Sequence, residues 1–161
     1  MIYDRIEDFA AALPPMPPLL GLDLGTKTIG VALSDRLMSS ASPLETLKRQ
    51  KFGIDADALS TLARARDVAG LILGLPRNMD GSEGPRAQAT RAFARNLSGR
   101  PDFVALPITF WDERLSTVAA EKALLEADTT RKRRAEVIDA VAAGYILQGA
   151  LDRLRHLREQ A

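Results

Sequence analysis

The stretch VAGLILGLP, from Val68 to Pro76, constrains the fold of this chain more than any other segment. Its apolar run, Val68–Leu73, is far shorter than the roughly 18 residues of a membrane span, and Gly74 and Pro76 bound it. A strand with one solvated face alternates apolar and polar residues, whereas a continuous apolar run is typical of a strand covered on both faces. We therefore expect a sheet that is covered on each side.

The segments around this run predict the remaining layers. Apolar runs separated by turn residues predict strands, and apolar residues at i, i+3 and i+4 predict helices. Strands followed by βαβ units predict an α/β fold with a mixed sheet. The predicted order is strands over 19–24, 28–34 and 42–48, a helix over 55–66, the strand 68–73, a helix over 86–97, a strand over 103–110, a helix from Ser116 to about Glu126 and a final helix to about Arg158.

Residues 1–18 differ from the rest of the chain and are interpreted as an N-terminal extension with a proline-rich linker. Residues 4–12 predict a short helix with Ile6, Phe9 and Ala10 on one face. This helix is expected to stop at the segment PPMPP, because proline lacks an N–H donor and disfavours helical conformations in the preceding residue. The pattern leaves open whether the extension docks or is mobile. Residues 19–158 are long enough for one domain with its own core.

The composition excludes several kinds of site. The chain has no cysteine and one histidine, His156, so a disulfide scaffold, thiolate chemistry, a histidine triad or a zinc site is not expected. The formal net charge of +1 does not by itself indicate a polyanionic partner. Asp4, Glu7 and Asp8 interrupt any signal-peptide core, and no apolar run reaches the length of a membrane span. These features predict a cytoplasmic protein without a membrane segment.

One acid lies inside an apolar stretch near the start of the chain, LLGLDLGTKTIGVALSD, residues 19–35. Asp23 stands between two leucines in the first predicted strand, although charged residues are depleted in central strands. The turn Gly25-Thr26-Lys27 follows, and glycine there is free to adopt positive φ. A functional carboxylate and an aspartate that only caps this turn are both compatible with the pattern.

A second acid lies on the last predicted helix. In VIDAVAAGYILQG, residues 137–149, every position is apolar or glycine except Asp139 and Gln148, which is typical of a buried helix. An ionised carboxylate there costs several kcal/mol unless a cation or hydrogen bonds compensate. Asp139 is therefore expected to be protonated, paired with a basic side chain or bound to a metal. The alanines beside it would let the helix approach a sheet closely.

A third acid, Glu113, follows the last predicted strand in the segment WDERLS. Sites in open α/β sheets collect at the carboxyl ends of strands, and strand alternation sends Asp112 to the opposite side. The alternative is a charged loop between a strand and a helix. Together, Asp23, Glu113 and Asp139 specify oxygen ligands without a histidine, a set that suits Mg²⁺ or Mn²⁺ and catalysis at phosphate.

Four ordered segments resemble the motifs of the YqgF family of RNase H-like nucleases. They are LLGLDLGTKTIGVALSD, LILGLPRNMDGSEGPRA, FWDERLST and EVIDAVAAGYILQ, and the similarity runs from about Leu19 to Leu154. The resemblance implies an RNase H-like fold, a five-stranded mixed sheet flanked by helices, with residues 19–158 as one nuclease domain. It maps the catalytic and metal-binding acids onto Asp23, Glu113 and Asp139, with one or two Mg²⁺ or Mn²⁺ ions as the cofactor.

The resemblance also implies a substrate. Members of the family are associated with maturation of the small-subunit ribosomal RNA precursor, and some with the resolution of DNA four-way junctions. The implied activity is hydrolysis of phosphodiester bonds during 5′-end maturation of pre-16S rRNA, with Holliday junction resolution as the alternative. A ribosomal small-subunit precursor is then the expected partner. A junction resolvase is expected to form a homodimer, since it cuts two strands symmetrically.

Positive residues near the acids are candidate contacts to nucleic acid. Lys27 lies in the turn after Asp23, and a basic loop over 128–134 would border the site. A backbone clamp of this kind predicts salt-sensitive binding that depends little on sequence, and solvated charges are the alternative. The predicted set is Lys27, Asn78, Arg86, Arg114, Arg131, Lys132, Arg133 and Arg134.

Two parts of this set have competing interpretations. In the loop after the strand 68–73, Asn78, Ser82 and Arg86 either contact phosphate or only shape a turn. Arg114 either bonds a phosphate or holds Asp112. The sequence does not separate these alternatives.

Two other classes of protein compete with a nuclease. Sugar kinases and Hsp70-like ATPases also carry Asp-x-Gly-Thr after a first strand, but they need two such domains and about twice this length. A non-catalytic RNA-binding or assembly factor with the same fold is the second rival. It would gain nothing from three carboxylates facing a polyanion, so the acids favour the nuclease.

Overall fold

The chain forms six strands and four α-helices within the residues that can be described. The computed structural model describes residues 1–115 and 131–160, with side chains from residue 138 onward in the second range. The predicted helix from Ser116 to Glu126 lies outside these residues. The strands are β1 (Ile2–Tyr3), β2 (Leu19–Leu24), β3 (Thr28–Ser34), β4 (Ala41–Lys48), β5 (Gly70–Leu75) and β6 (Ile108–Asp112). The helices are α1 (Ile6–Ala12), α2 (Phe52–Ala65), α3 (Pro85–Ser98) and α4 (Arg131–Glu159), with a 3₁₀ turn over Glu113–Leu115.

The strands form one mixed sheet in the order β1-β6-β5-β2-β3-β4. β2 pairs parallel with β5 and antiparallel with β3, so it lies centrally, with its carboxyl end beside that of β5. The predicted α/β architecture with a mixed sheet is confirmed. The predicted strand number of five is wrong, because the sheet has six strands.

The sixth strand comes from the N-terminal extension. β1 pairs parallel with β6, with Ile2 opposite Ile108 and Tyr3 opposite Thr109. It covers an edge whose N–H and C=O groups would otherwise lack strand partners. A two-residue strand has too few positions for an apolar–polar alternation, so the sequence carried no signal for it.

The extension docks, which answers the question that the sequence left open. Phe9 is fully buried, and one of its ring atoms lies 3.0 Å from the position that a β-carbon on Gly70 would take. Ile6 and Ala10 pack on the same cluster, as predicted for one helical face. The Arg158 guanidinium donates a hydrogen bond of 3.2 Å to the Pro14 carbonyl and so ties the linker to α4.

Each face of the sheet packs on its own apolar cluster. Every residue of β5 is buried, as expected for a strand covered on both faces. One cluster contains side chains of the sheet, α2 and α3, and the other contains side chains of the sheet, α1 and α4. None of the described helices is long and apolar enough to cross a membrane.

The strand predicted over 103–110 is shorter and begins later, at Ile108. Phe103 is fully buried, but its N–H donates to the Arg100 carbonyl at 3.0 Å within a turn. The Arg100 guanidinium bonds Asp102 at 3.0 Å and Asp57 at 2.5 Å, and it fixes the turn against α2. Phe103 therefore packs in the core without extending the sheet, whereas Val104 next to it is exposed.

Helix α4 lies unusually close to the sheet. A β-carbon on Gly21 would lie 2.7 Å from the β-carbon of Leu147, and one on Gly30 would lie 1.9 Å from the Asp139 carbonyl oxygen. Atoms cannot approach to such distances, so only glycine fits at these positions of β2 and β3. The close approach places Asp139 directly over the central strands.

Candidate active site

Asp23 is the buried centre of the candidate site. Its side chain is 2 % exposed. It pairs with Gly30 of β3, and the register of β2 with β5 places it level with Gly74 on the other side. Residues at the same level of paired strands point to the same face, which here is the face covered by α4. Neither neighbour has a side chain, so groups from outside the sheet fill the space on either side of Asp23.

Asp139 reaches this space from α4. The Thr28 hydroxyl donates a hydrogen bond to its Oδ2 atom. The same Oδ2 lies 3.7 Å from the position of a β-carbon on Gly25, which lies two residues after Asp23 and therefore on the same face. The Asp139 carboxylate is thus held over the β3 side of Asp23.

Glu113 reaches the space from the opposite side. It is the first residue of the 3₁₀ turn that follows β6. Its Oε1 atom lies 2.8 Å from the position that a β-carbon on Gly74 would take. The missing side chain of Gly74 therefore makes room for the Glu113 carboxylate on the β5 side of Asp23.

The three predicted acids thus form a row over one face of the sheet, near the carboxyl end of β2, with Asp23 between Asp139 and Glu113. In the part of the chain that the structure describes, no three His, Cys, Asp or Glu side chains converge closely enough to hold a metal ion as they stand. Like charges at such a site repel one another, and a divalent cation would offset that repulsion. The possible ligand atoms are carboxylate oxygens, with the Thr28 hydroxyl beside them. Oxygen atoms are the ligands that hard cations such as Mg²⁺ prefer, so the residues present suit such a cation.

One expectation about this region needs correction. Gly25 does not adopt positive φ. Among the described glycines, the one with positive φ is Gly81, at +90°. Gly25 matters because its missing side chain leaves space beside Asp139, while its N–H closes the turn on the Thr28 carbonyl at 2.9 Å. For Asp139, the sequence suggested a proton, a basic partner or a metal, and the structure adds a neutral hydroxyl donor from Thr28.

The candidate nucleic-acid contacts lie in different surroundings. Lys27 is exposed at the tip of the β2–β3 turn, and Arg86 is exposed in the first turn of α3. Asn78 donates from its side-chain amide to the Ser82 hydroxyl at 3.0 Å, and its N–H donates to the Ser82 carbonyl at 2.9 Å. Asn78 and Ser82 therefore shape a turn, one of the two roles that the sequence allowed.

The four basic residues ahead of Asp139 do not lie in a loop. Helix α4 begins at Arg131, so Arg131, Lys132, Arg133 and Arg134 form its first turn. The prediction of a basic loop extending to residue 134 is wrong for these four positions. Their side chains, and residues 128–130, lie outside the described part of the chain.

Arg114 holds Asp112, the second of the two roles weighed from the sequence. Its guanidinium bonds the Asp112 carboxylate at 2.7 Å and approaches the Met79 carbonyl at 3.4 Å. Hydrogen bonds from Arg114 lower the pKa of Asp112 from its usual value, although burial acts in the opposite direction. The pair links the end of β6, just before Glu113, to the loop after β5.

The variant Arg114→Gln is expected to be less stable than wild type at neutral pH, because the Asp112 carboxylate loses its charged partner. The folded-state pKa of Asp112 is lowered, so its stabilising contribution is complete above the unfolded-state pKa of about 3.9 and is lost as the pH falls through the folded-state pKa. The difference between variant and wild type should therefore shrink as the pH is lowered from about 4. Urea unfolding across this range measures it, and a difference independent of pH would contradict the assignment.

Sequence reasoning missed Thr28, Gly74 and Arg49. Thr28 orients Asp139, and Gly74 makes room for Glu113. Arg49 donates from Nη1 to the Gly25 carbonyl at 2.8 Å, so it braces the turn beside the acids. Their roles depend on how neighbouring strands are aligned, which the sequence does not show. The sequence feature that pointed to this region was the high frequency of glycine at the ends of the predicted strands.

Comparisons with known proteins relate this chain to one family. A family model described as "RuvX: Holliday junction resolvase" matches residues 18–153. A protein of Jannaschia sp. is 75% identical over 158 residues, covering 98% of this chain and 99% of that protein. One of Ruegeria pomeroyi is 71% identical over 157 residues, covering 98% and 100%. Both carry the name "Putative pre-16S rRNA nuclease".

The fold is also similar to solved structures. Thermus thermophilus RuvC in complex with a Holliday junction substrate matches with a TM-score of 0.53 and 13% identity, covering 85% of this chain and 94% of that one. A second Thermus thermophilus RuvC structure gives a TM-score of 0.52 at 13% identity, with coverages of 86% and 96%. This similarity confirms the predicted RNase H-like fold.

Proposed function

The chain belongs to the RuvX family, and from that premise we propose that it is a metal-dependent nuclease that hydrolyses phosphodiester bonds in the 5′-end maturation of pre-16S rRNA. This is the YqgF family that the four sequence motifs indicated. The observation that carries the proposal is the placement of Glu113 and Asp139 on either side of buried Asp23, each over a glycine.

In this proposal the three acids hold one or two Mg²⁺ or Mn²⁺ ions. The chemistry that such ions supply when bound is activation of a water molecule and stabilisation of the leaving oxygen. Asp23 contributes a carboxylate fixed by a central strand, and the Thr28 hydroxyl fixes the orientation of Asp139. Glu113 lies in the 3₁₀ turn directly after β6 and contributes its carboxylate from the β5 side of Asp23.

The substrate is held by local positive charge, since the net charge is only +1. Lys27 is exposed at the tip of the turn that follows Asp23, within reach of a phosphate beside the acids. The basic first turn of α4, residues 131–134, leads toward Asp139. We propose that these residues contact the nucleic-acid backbone, and that the protein acts in the cytoplasm on a small-subunit precursor.

Holliday junction resolution is the second candidate function. The family description and the similarity to the RuvC fold favour it over other nuclease activities. It requires symmetric cleavage of two strands, and we therefore associate it with a homodimer. Ribosomal RNA processing places no such demand on the oligomeric state.

Cleavage of matched substrates tests these two functions. With Mg²⁺ or Mn²⁺ present, we expect cutting of a single-stranded RNA that spans the 5′ end of 16S rRNA, and weaker cutting of a duplex or a four-way DNA junction. Asp139→Asn should abolish it, since the carboxylate is one of the proposed ligands. Preferential, paired cuts in the junction would favour resolution, and metal-dependent cutting that survives Asp139→Asn would contradict the site assignment.

A thermal-stability titration with Mg²⁺ and Mn²⁺ distinguishes the nuclease from a non-catalytic RNA-binding factor. A cation that binds the folded state raises its unfolding temperature. A pure RNA binder should show no specific response to either metal.

A further inference from the structure

We propose that a small cleft behind the β2–β3 turn binds a backbone phosphate of the substrate strand, an inference that rests on the nuclease function proposed above. The cleft has a volume of about 60 Å³. Its polar side chains are those of Arg49, Arg86, Thr26 and Thr90, and none of the described residues that line it carries a carboxylate. Pockets for drug-sized ligands start at about 300 Å³, so this cleft fits a small anionic group and not a base.

Among the residues that the structure describes, neither arginine of the cleft has an acidic partner. Within the described ranges 1–115 and 138–160, no salt bridge includes Arg49 or Arg86. By contrast, Arg91 of α3 and the loop residues Arg77 and Arg114 are each paired with an acid. An arginine without a carboxylate keeps its charge and its planar fork available for phosphate.

Arg49 is held in place by contacts that leave most of its donors available. Its Nη1 donates to the Gly25 carbonyl at 2.8 Å, and its guanidinium lies 5.7 Å from the centre of the Phe93 ring. A guanidinium has five N–H donors, and the described hydrogen bonds of this one involve only Nη1. The side chain is therefore fixed before an anion binds, which lowers the entropy lost on binding.

Helix α3 adds to the positive character of the cleft. Arg86 is the second residue of this 14-residue helix, which begins at Pro85. The N-terminal end of a helix carries a partial positive charge and unpaired N–H groups. The Thr90 hydroxyl donates to the Arg86 carbonyl at 3.1 Å and supports the first turn.

The cleft lies close enough to the three acids for one nucleic-acid strand to contact both. Gly25 lines the cleft and also lies beside the Asp139 carboxylate, so the β2–β3 turn separates the cleft from the acids. Gly25 is two residues from Asp23, which is about 7 Å along an extended chain. A nucleic-acid strand advances roughly 3.4 Å per nucleotide along its axis. The phosphate in the cleft would therefore lie within about two nucleotides of the bond that is cut.

The experiment combines arginine substitutions with neutralised phosphates. The probe is a short single-stranded RNA of 5′-pre-16S sequence, in which each phosphate in turn is replaced by an uncharged methylphosphonate. Fluorescence anisotropy measures Kd in Ca²⁺, which takes the same oxygen ligands, and a gel checks that the probe stays intact. The double variant Arg49→Gln/Arg86→Gln is compared with wild type. Arg64→Gln/Arg66→Gln removes the same charge at the other end of α2 and serves as the control.

We expect Kd of the double variant to rise about tenfold, as for loss of charge-assisted hydrogen bonds, and the slope of log Kd against log salt to fall by about 0.7. In wild type, one methylphosphonate position should weaken binding by a similar factor. That position should have no further effect in the double variant, because the contact is already lost. The control variant should keep the sensitivity of wild type at that position.

Three results would overturn the phosphate site: unchanged affinity, no binding of the RNA, or methylphosphonate effects that add fully to those of the double variant. The last result would mean that the arginines act only by bracing the turn. Thermal unfolding checks that the double variant is folded. If it is not, Arg86→Gln alone tests the same coupling, since no described hydrogen bond involves that side chain. If the arginine and methylphosphonate effects are coupled but the RNA is not cut, the nuclease function is refuted and the phosphate site stands. If the RNA is cut but the effects are not coupled, the phosphate site is refuted and the nuclease function stands.

Discussion

Replacing Asp23 with asparagine is expected to lower the rate of metal-dependent cleavage about 10³-fold while the protein stays folded. Asp23 is 2 % exposed and lies between the two other acids, so its carboxylate is the one that a cation in this row must contact. Loss of a ligand removes several kcal/mol of stabilisation of the developing charge. Single-turnover cleavage of the RNA substrate in Mg²⁺ measures the change.

The same variant should show an unusual stability signature. Without metal, the Asp23 carboxylate is buried and lies in the same region as two other acids, so its neutralisation should change the unfolding temperature only slightly. The increase in unfolding temperature that Mg²⁺ gives to wild type should disappear in Asp23→Asn. Groups placed for catalysis commonly contribute more to activity than to stability.

Asp55 provides the matched control for Asp23. It is also a buried acid, 3 % exposed, but its carboxylate oxygens accept hydrogen bonds from the Gln50 N–H at 3.0 and 3.2 Å ahead of α2. Asp55→Asn should lower the free energy of unfolding by about 1 kcal/mol and leave the cleavage rate and the metal response unchanged. If Asp55→Asn lost activity and Asp23→Asn kept it, the site would be assigned to the wrong acid.

The fold was predictable from the sequence because its signals are local. The continuous apolar run ending at Leu73 predicted a strand buried on both faces, and β5 is buried throughout. The α/β order followed from such runs. The sixth strand was not predictable, because two residues show no periodicity and they pair with Ile108 and Thr109, which are far from them in sequence.

The acids of the site were predictable individually, whereas their environment was not. Asp23 and Asp139 each stood out as a charge in an apolar segment, which is a property of the local sequence. The contacts that orient them depend on register. Thr28 bonds Asp139 across 111 positions of the chain, and Gly74 faces Glu113 only because β5 lies level with β2. Periodicity within one segment contains no information of this kind.

Replacing Gly30 with alanine is expected to lower the free energy of unfolding by more than about 3 kcal/mol. The new methyl group would lie 1.9 Å from the Asp139 carbonyl oxygen and 2.1 Å from its carbon. These atoms belong to a helix backbone, so no side-chain rotation can relieve the clash. Urea unfolding measures the loss, and Gly53→Ala is the control: nothing lies within 4 Å of its β-carbon in α2, and the change should stabilise the helix by up to about 1 kcal/mol.

Helix α4 cannot yield locally to the methyl group, because Ala143, Ile146 and Leu147 are fully buried against the sheet. The helix must therefore move away from β3 as a unit and carry Asp139 away from Thr28 and Asp23. Gly30→Ala should consequently lose most of its cleavage activity and its stabilisation by Mg²⁺ even at temperatures where it remains folded. A variant with wild-type stability and rate would mean that α4 lies farther from β3 than the structure places it. In that case Asp139 would not be held over the row of acids, and the close helix approach would not be what assembles the site.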